Sequence, residues 1–377
     1  MMKIPFNKPY VTGNELTNIT DVISKGHLSG NGEYTKKCQT FFEKKYGFKK
    51  TLLTTSCTDA LEMCALLINI IPGDEVIIPS YTFVSTALVF ARQGAKVVFA
   101  DSSPLNPNIE IGDIEARITD KTKAIVPVHY AGIAVDMDEI MRLANKYDLY
   151  VIEDAAQSID SFYYKKPLGG IGHLGVMSFH ETKNITSGEG GLLIVNDDKF
   201  IDRAEIIWEK GTNRSSFFRG EINKYGWVDI GSSFLPSELN AAFLYAQLLQ
   251  IEIIQQKRIS IWETYYKRLK KLENEGKIKL PYIPEFATNN AHMFYLLCNS
   301  EEERTRLIKY LKEKGIQTVF HYLGLNNSLF YQMHYKDIPY LRYSDYYTDC
   351  LLRLPMYTSL LPEEIEYIIQ NIFAFYE

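Results

Sequence analysis

Cysteine is scarce and unpatterned. The five present (Cys38, Cys57, Cys64, Cys298 and Cys350) form an odd set without Cys-x-x-Cys spacing, so neither a disulfide framework nor a zinc finger is expected. They read as free thiols in a reducing compartment. A basic excess is also missing: 41 Lys and Arg against 46 Asp and Glu leave a formal net charge of −5, which argues against a nucleic-acid partner. No apolar run is long enough to cross a bilayer, because the stretch from Ala60 to Ile71 is interrupted by Glu62 and Asn69. The opening Met1-Met-Lys-Ile-Pro-Phe-Asn has no continuous apolar segment of signal-peptide type, which points to the cytoplasm. Gly188-Glu-Gly-Gly191 lacks the spacing of a dinucleotide fingerprint. His129, His173, His180, His292 and His321 are well separated, and no metal site is expected from them. Repeats and low-complexity tracts are absent.

What the sequence contains is alternation. Apolar runs at 51–54, 75–79, 96–100, 124–128 and 149–153 are separated by helical patterns at 58–70, 85–92, 114–118 and 137–147. Strand and helix in turn argue for an α/β fold with a mostly parallel sheet and right-handed crossovers. Two helical stretches, 15–25 and 34–46, precede it, with the glycine-rich loop 26–32 between them. Beyond it the pattern predicts a strand at 191–196, a helix at 199–209 and one long helix from Pro236 towards Leu272. Then follow a strand at 292–298, a helix at 302–314, a short strand at 318–322 and closing helices near 345–352 and 362–376. A chain of 377 residues, 46% hydrophobic and 23% charged, suits two domains. We place them at 1–250 and 251–377, the second being the smaller α/β unit.

The chemistry centres on Ser178-Phe-His-Glu-Thr-Lys-Asn-Ile-Thr-Ser-Gly-Glu-Gly-Gly191. Lys183 in this loop would be an ordinary solvated charge if it stood alone. Upstream, Tyr150-Val-Ile-Glu-Asp-Ala-Ala-Gln157 ends a buried-strand pattern in two carboxylates. Alternation sends Glu153 and Asp154 to opposite faces, so only one can meet a ligand in the crevice, and spacing does not say which. For the same reason the pair cannot flank one glycosidic bond. A strand-end acid with a loop lysine is what pyridoxal phosphate requires: a Schiff-base lysine and a carboxylate for the pyridine nitrogen. Leu53-Thr-Thr-Ser-Cys-Thr-Asp-Ala60 opens a helix, so the backbone N–H groups of Ser56, Cys57 and Thr58 can face a phosphate, unless they merely receive a helix cap. No His, Asn or Asp partner marks Cys57 as a nucleophile. Phe83 follows a strand end and can lie flat on a ring, although burial is the commoner fate of a Phe. Gln157 can reach a ring hydroxyl or simply face solvent.

Ser178-Phe-His-Glu-Thr-Lys-Asn, Glu209-Lys-Gly-Thr-Asn-Arg-Ser, Phe218-Arg-Gly220 and Asp229-Ile-Gly-Ser-Ser233 give the chain a resemblance, over nearly its whole length, to the sugar-nucleotide aminotransferases of the DegT/DnrJ/EryC1/StrS family. Within the family it looks like the branch that makes dTDP-4-amino-4,6-dideoxygalactose. The resemblance implies the pyridoxal-phosphate transferase fold of type I, that of aspartate aminotransferase. It makes Lys183 the Schiff-base lysine and Asp154, not Glu153, the partner of the ring nitrogen. Phe83 falls at the stacking position, Cys57 and Thr58 at the backbone phosphate site, Ser178 at a phosphate-binding hydroxyl, and Gln157 near the ring oxygen. Ser233 stands where many relatives have an Asn that reaches the phosphate of the other subunit of a homodimer. His180, His321 and Tyr322 are placed toward the sugar. A nucleotide-linked keto sugar and L-glutamate are the implied substrates. After Val319-Phe-His-Tyr322 relatives continue with Pro and then Leu-His, whereas Leu323-Gly-Leu-Asn326 follows in this chain, so the sugar itself stays open. A UDP-linked 4-keto-N-acetyl sugar or a 3-keto sugar would use the same core. Dehydratases on this scaffold carry His at the lysine position, and a non-catalytic cofactor-binding regulator would be expected to carry a DNA-binding module.

Overall fold

The computed structural model describes residues 2–377. Helices α1 (Glu15–Lys25) and α2 (Glu33–Tyr46) lead into β1 (Lys50–Thr54), α3 (Cys57–Leu67), β2 (Glu75–Pro79), α4 (Ser85–Arg92), β3 (Lys96–Ala100), α5 (Ile111–Arg117), β4 (Thr122–Ile125), α6 (Met137–Tyr147) and β5 (Tyr150–Asp154). The tiny hairpin β6 (Phe162–Tyr163) and β7 (Lys166–Pro167) precedes β8 (Leu174–Ser178), β9 (Gly191–Val195), α7 (Ile201–Trp208), α8 (Arg214–Phe218), α9 (Glu238–Leu248) and α10 (Ile251–Asn274). The chain closes with β10 (Phe294–Leu297), α11 (Glu301–Glu313), α12 (Leu329–His334), α13 (Arg342–Cys350), β11 (Leu351–Leu354) and α14 (Pro362–Tyr376).

Seven strands form one sheet in the order β1-β9-β8-β5-β4-β2-β3, in which only β9 runs against the rest. Strands such as Glu75-Val-Ile-Ile-Pro79 are apolar throughout because both sheet faces are covered. Leu53, Val151, Met177 and Ile194 pack on one face with α2, α6 and α9. Their neighbours Leu52, Ile152, Val176 and Leu193 pack on the other with α3, α4 and α7. A separate apolar cluster joins α10, α11, α14 and the antiparallel pair β10–β11, and Ile4 belongs to it. The start of α2 is tied to α9 by the buried carboxylate of Glu238, which accepts the backbone N–H groups of Gly32, Tyr34 and Thr35 at 3.0, 2.7 and 3.1 Å. A carboxylate at a helix N-terminus satisfies donors that the helix itself cannot.

Four sequence expectations are corrected. Strand β4 stops at Ile125, because Pro127 has no N–H for the ladder, and only an isolated bridge, Val128 to Asp154, continues it. The single long helix is two: the chain turns at Leu249–Gln250, so that α9 packs on α1 and α2 while α10 runs to α14. Residues 318–322 are not a strand but make one isolated bridge, Val319 to Arg353. The helix expected near 345–352 ends at Cys350 and gives way to β11, whose four buried residues suit either state on pattern alone.

Among the described residues no helix is long and apolar enough to cross a membrane, and all five cysteines are free.

Candidate active site

A cavity of about 490 Å³ opens at the carboxyl ends of β1, β5 and β8, where the first turn of α3 also points. Ser56 caps that helix, its hydroxyl accepting the N–H of Asp59 at 3.1 Å. The backbone N–H groups of Cys57 and Thr58 are left without an acceptor among the described residues. Hydroxyls of Thr58 and Ser85, 2.8 Å apart, and Ser178 line the same end. Such a set of donors at a helix start is suited to a phosphate. Gly191 abuts it so closely that an added Cβ would lie 2.4 Å from the Cys57 nitrogen. Gly191→Ala is therefore expected to push the first turn of α3 aside and lose one or more charge-assisted hydrogen bonds, worth about 1.5–3 kcal/mol each. Equilibrium dialysis should show cofactor binding at least about tenfold weaker with circular dichroism unchanged; undiminished affinity would refute the cradle.

The two strand-end carboxylates part company. Asp154 enters the cavity, 5% exposed, its oxygens accepting the Thr86 hydroxyl at 2.8 Å and the Ala156 N–H at 3.1 Å. Glu153, on the opposite face and wholly buried, accepts the N–H groups of Gly169, Ile171 and Gly172 at 2.9, 2.6 and 2.6 Å. It also faces His129 Nε2 at 3.0 Å. Val135 N–H donates to His129 Nδ1, so the imidazole proton sits on Nε2 and is donated to Glu153. Glu153 thus staples the 169–172 turn to the sheet and is spent on structure.

Lys183 rises from a loop closed by Ser178 paired with Gly191, with Phe179 N–H donating to the Gly190 carbonyl at 2.8 Å. Its Nζ has no hydrogen-bond or ion-pair partner among the described residues. Burial pushes the ammonium down to about 8, with the Arg353 guanidinium acting in the same direction and Cys57 and Asp154 against it. The Cys57 thiol is pushed well up, chiefly by burial and then by Asp154, which is the wrong direction for a nucleophile.

Phe83, 55% exposed, sits at the cavity wall with its ring 6.0 Å from that of Tyr322. Gln157 accepts the Ala131 N–H at 2.6 Å and points its amide nitrogen at the Tyr322 hydroxyl, 3.4 Å away. His180 lines the cavity, its Nδ1 2.9 Å from the Thr182 hydroxyl. His321 and Tyr322 form the far wall, with the His321 carbonyl gripped by the hydroxyls of Tyr81 and Tyr130 at 2.6 and 2.9 Å. Ser233 does not join them: it is exposed, outside the cavity of its own chain. Thr86 and Arg353 line the cavity without having been singled out in the sequence, and His292, considered there only as a metal ligand, lines it too, since a Thr in a helical run, a lone His and an Arg in an apolar tetrapeptide carry no spacing signal. A larger groove, about 680 Å³, lies between α10 and α14, but only Lys257 and Glu366 charge it and no buried ionisable group faces it.

Residues 9–373 match the DegT/DnrJ/EryC1/StrS aminotransferase family. This chain belongs to that family. The uncharacterized protein MJ1066 of Methanocaldococcus jannaschii is 31% identical over 379 residues, spanning 98% of this chain and 96% of the relative. The spore coat polysaccharide biosynthesis protein SpsC of Bacillus subtilis is 29% identical over 98% of this chain and 96% of its own. Spr1654 of Streptococcus pneumoniae, solved in PLP and PMP forms, superposes in the latter with a TM-score of 0.91 at 26% identity, covering 99% of this chain and 98% of that one. The mostly parallel α/β fold is thus the aspartate aminotransferase-like type I fold, and the cofactor of this aminotransferase is pyridoxal 5′-phosphate. The cavity fits it: unpaired N–H groups at one end suit a phosphate, Asp154 a ring nitrogen, and the partnerless Lys183 amine an aldehyde. Among the described residues no His, Cys, Asp and Glu cluster could hold a metal ion.

Proposed function

We propose that this aminotransferase transfers an amino group from L-glutamate to the 4-keto carbon of a nucleotide-linked 4-keto-6-deoxyhexose. The leading substrate is dTDP-4-keto-6-deoxyglucose, giving dTDP-4-amino-4,6-dideoxygalactose for a surface polysaccharide. The observation that carries the reading is the meeting of Lys183 and Asp154 in one cavity beside an anion cradle. A relative named for spore coat polysaccharide biosynthesis supports the sugar. The motifs Glu209-Lys-Gly-Thr-Asn-Arg-Ser and Asp229-Ile-Gly-Ser-Ser233 support the branch.

Bound pyridoxal phosphate supplies an aldehyde for amine exchange and a ring that accepts an electron pair. Lys183 holds the cofactor covalently between turnovers. With its Nζ free, Lys183 would be the group placed to take the proton from the donor α-carbon and to return one for the sugar. Asp154 keeps the ring nitrogen protonated, because a neighbouring anion favours the charged form. Thr86 and Ala156 fix that carboxylate. Cys57 and Thr58 N–H groups and the Ser178 hydroxyl would hold the phosphate, Phe83 would cover the ring and Gln157 would serve its oxygen. Ser233 is left to a second copy, in a homodimer of shared sites. His180, His321 and Tyr322 face the sugar. That wall is fixed from behind: Asn326, 1% exposed, accepts the Ser80 hydroxyl at 2.6 Å, and Leu325 N–H donates to the Ser80 carbonyl at 3.0 Å. The free thiols support a cytoplasmic enzyme.

Incubation with L-glutamate and a panel of nucleotide-linked 4-keto and 3-keto sugars, read by mass and NMR, tests the reading. The 4-amino sugar is expected; amination at the 3-position alone would overturn it, and a UDP-linked N-acetyl product would move the enzyme to another branch. A second expectation concerns pH. Only the neutral amine of Lys183 can attach the cofactor, and its ammonium loses the proton near 8. The rate of holoenzyme formation from apoenzyme should climb with pH up to about 8 and level off above it. A flat profile from pH 6 to 9 would contradict the assignment of Lys183.

A further inference from the structure

Arg353 on β11 is 7% exposed and lines the cavity, yet no carboxylate among the described residues pairs with it. One terminal nitrogen, Nη1, donates to Nδ1 of His321 at 3.1 Å. The Phe6 ring packs against the guanidinium carbon at 5.1 Å from its centre. Nε is buried without a partner, and the one side-chain hydrogen bond that Arg353 makes among the described residues is through Nη1, which leaves Nη2 without an acceptor there. The neighbouring buried arginine behaves differently: Arg258 places Nε and Nη2 on the carbonyls of Ala291 and His292 at 3.0 and 2.7 Å. Arg258 is therefore satisfied within the fold, whereas the Nε–Nη2 edge of Arg353 is a vacant fork.

A buried guanidinium without a counter-charge is unfavourable unless an anion arrives. The side-on edge formed by Nε and one terminal nitrogen matches a carboxylate, which it binds through two parallel hydrogen bonds. Asp154 cannot supply that charge, since Thr86 and Ala156 already hold its oxygens. The opposite edge cannot turn to the ligand while Nη1 is held by His321, so His321 fixes which edge is presented. Burial, and then the guanidinium itself, push the His321 imidazolium down to about 4, which keeps Nδ1 a lone-pair acceptor at neutral pH.

We propose that Arg353 is the carboxylate anchor for the amino donor, binding it through the Nε–Nη2 edge, with His321 as the positioning residue that aims the guanidinium. This rests on the aminotransferase reading above and adds to it the group that selects an amino acid over a simple amine. The ionisable groups lining the cavity with it are His180, Lys183 and Glu189 from the lysine loop, His292 from the start of the β10 segment, His321 from the wall and Asp154 from β5. Glu189 faces His180 Nε2 at 3.7 Å and Asp154 is held by Thr86 and Ala156, so neither carboxylate occupies the Arg353 fork.

Glutarate, a dicarboxylate with no amine to react, is the probe, titrated calorimetrically into holoenzyme. Arg353→Met is expected to weaken its binding on the order of a hundredfold, the loss of a charge-assisted pair. Cofactor content, read by absorbance, should stay unchanged. Arg353→Lys keeps the charge without the fork and should recover only part of the affinity; His321→Ala should cost several-fold. Equal glutarate affinity in wild type, Arg353→Met and Arg353→Lys would overturn the proposal, and the lysine variant decides the matter if the methionine variant does not fold. Single-turnover rates give a second readout: the glutamate half-reaction should slow while the sugar half-reaction, run from aminated enzyme, keeps its rate. Equal loss of both would reduce Arg353 to packing and overturn the anchor. A wild-type enzyme that binds glutarate but aminates no keto sugar would instead refute the proposed substrate, leaving the anchor standing.

Discussion

Lys183→Ala should leave a folded protein that makes no covalent link to its cofactor. The visible absorbance of the lysine-bound form is expected to vanish, and borohydride treatment should no longer tag the peptide containing position 183. Turnover should fall by roughly four orders of magnitude or more, the upper range for removing a positioned proton-transfer group. Nζ lies in a cavity with Asp154 at one end and the α3 cradle at the other, and no other lysine lines that space. Nor does the loop depend on the Lys183 side chain for its shape, since backbone hydrogen bonds such as Ser187 N–H to the Phe179 carbonyl at 2.9 Å close it. An alanine variant that kept the absorbance band would sink the assignment.

The second large effect separates two adjacent carboxylates. Asp154→Asn should retain the cofactor, held by Lys183 and the cradle, while turnover drops by about two to four orders of magnitude, some 3–5 kcal/mol of barrier. An amide cannot keep the ring nitrogen protonated, and the ring then draws electrons poorly. Glu153→Gln should do something else. It trades an acceptor of three backbone N–H groups and the His129 proton for a side chain with one acceptor oxygen and two hydrogens that meet other donors. Its expected signature is a lower melting temperature, reflecting a loss of several kcal/mol of stability on the order expected for a buried network left mispaired, with the surviving folded enzyme still active. If Glu153→Gln instead gave the stable, inactive holoenzyme, the roles of the two faces of β5 would be exchanged.

These two carboxylates also show where sequence reasoning stops. Period-two alternation separates Glu153 from Asp154 but is blind to which face holds the crevice; only the path of β8 and the 169–172 turn makes one face structural. The parallel strands were legible because burial on both faces demands unbroken apolar runs such as Val76-Ile-Ile78. Leu351-Leu-Arg-Leu354 was not, since four apolar-rich residues after a helix have no period to read. The turn at Leu249–Gln250 escaped because neither Gly nor Pro marks it; what bends the chain is packing of α9 and α10 on different partners. The Ser56–Thr58 helix start could be read from its small polar residues. Arg353 could not: its meaning lies in the carboxylate it does not have, which is visible only once the chain is folded.

Strand β9 runs against its neighbours, and that reversal bears on how such enzymes diversify. Both ends of the lysine loop are fastened inside the central sheet by pairing of β8 with β9, whereas the wall formed by His321 and Tyr322 hangs from the far side of the cavity through Ser80, Tyr81 and Tyr130. Substitutions in the wall are expected to leave the lysine loop in place, because that loop is closed by backbone pairing the wall does not share. If, as proposed, that wall faces the sugar, an enzyme of this construction can change its substrate by drift along 320–328 while keeping its lysine loop, and a graft of that segment between relatives should carry substrate preference with it.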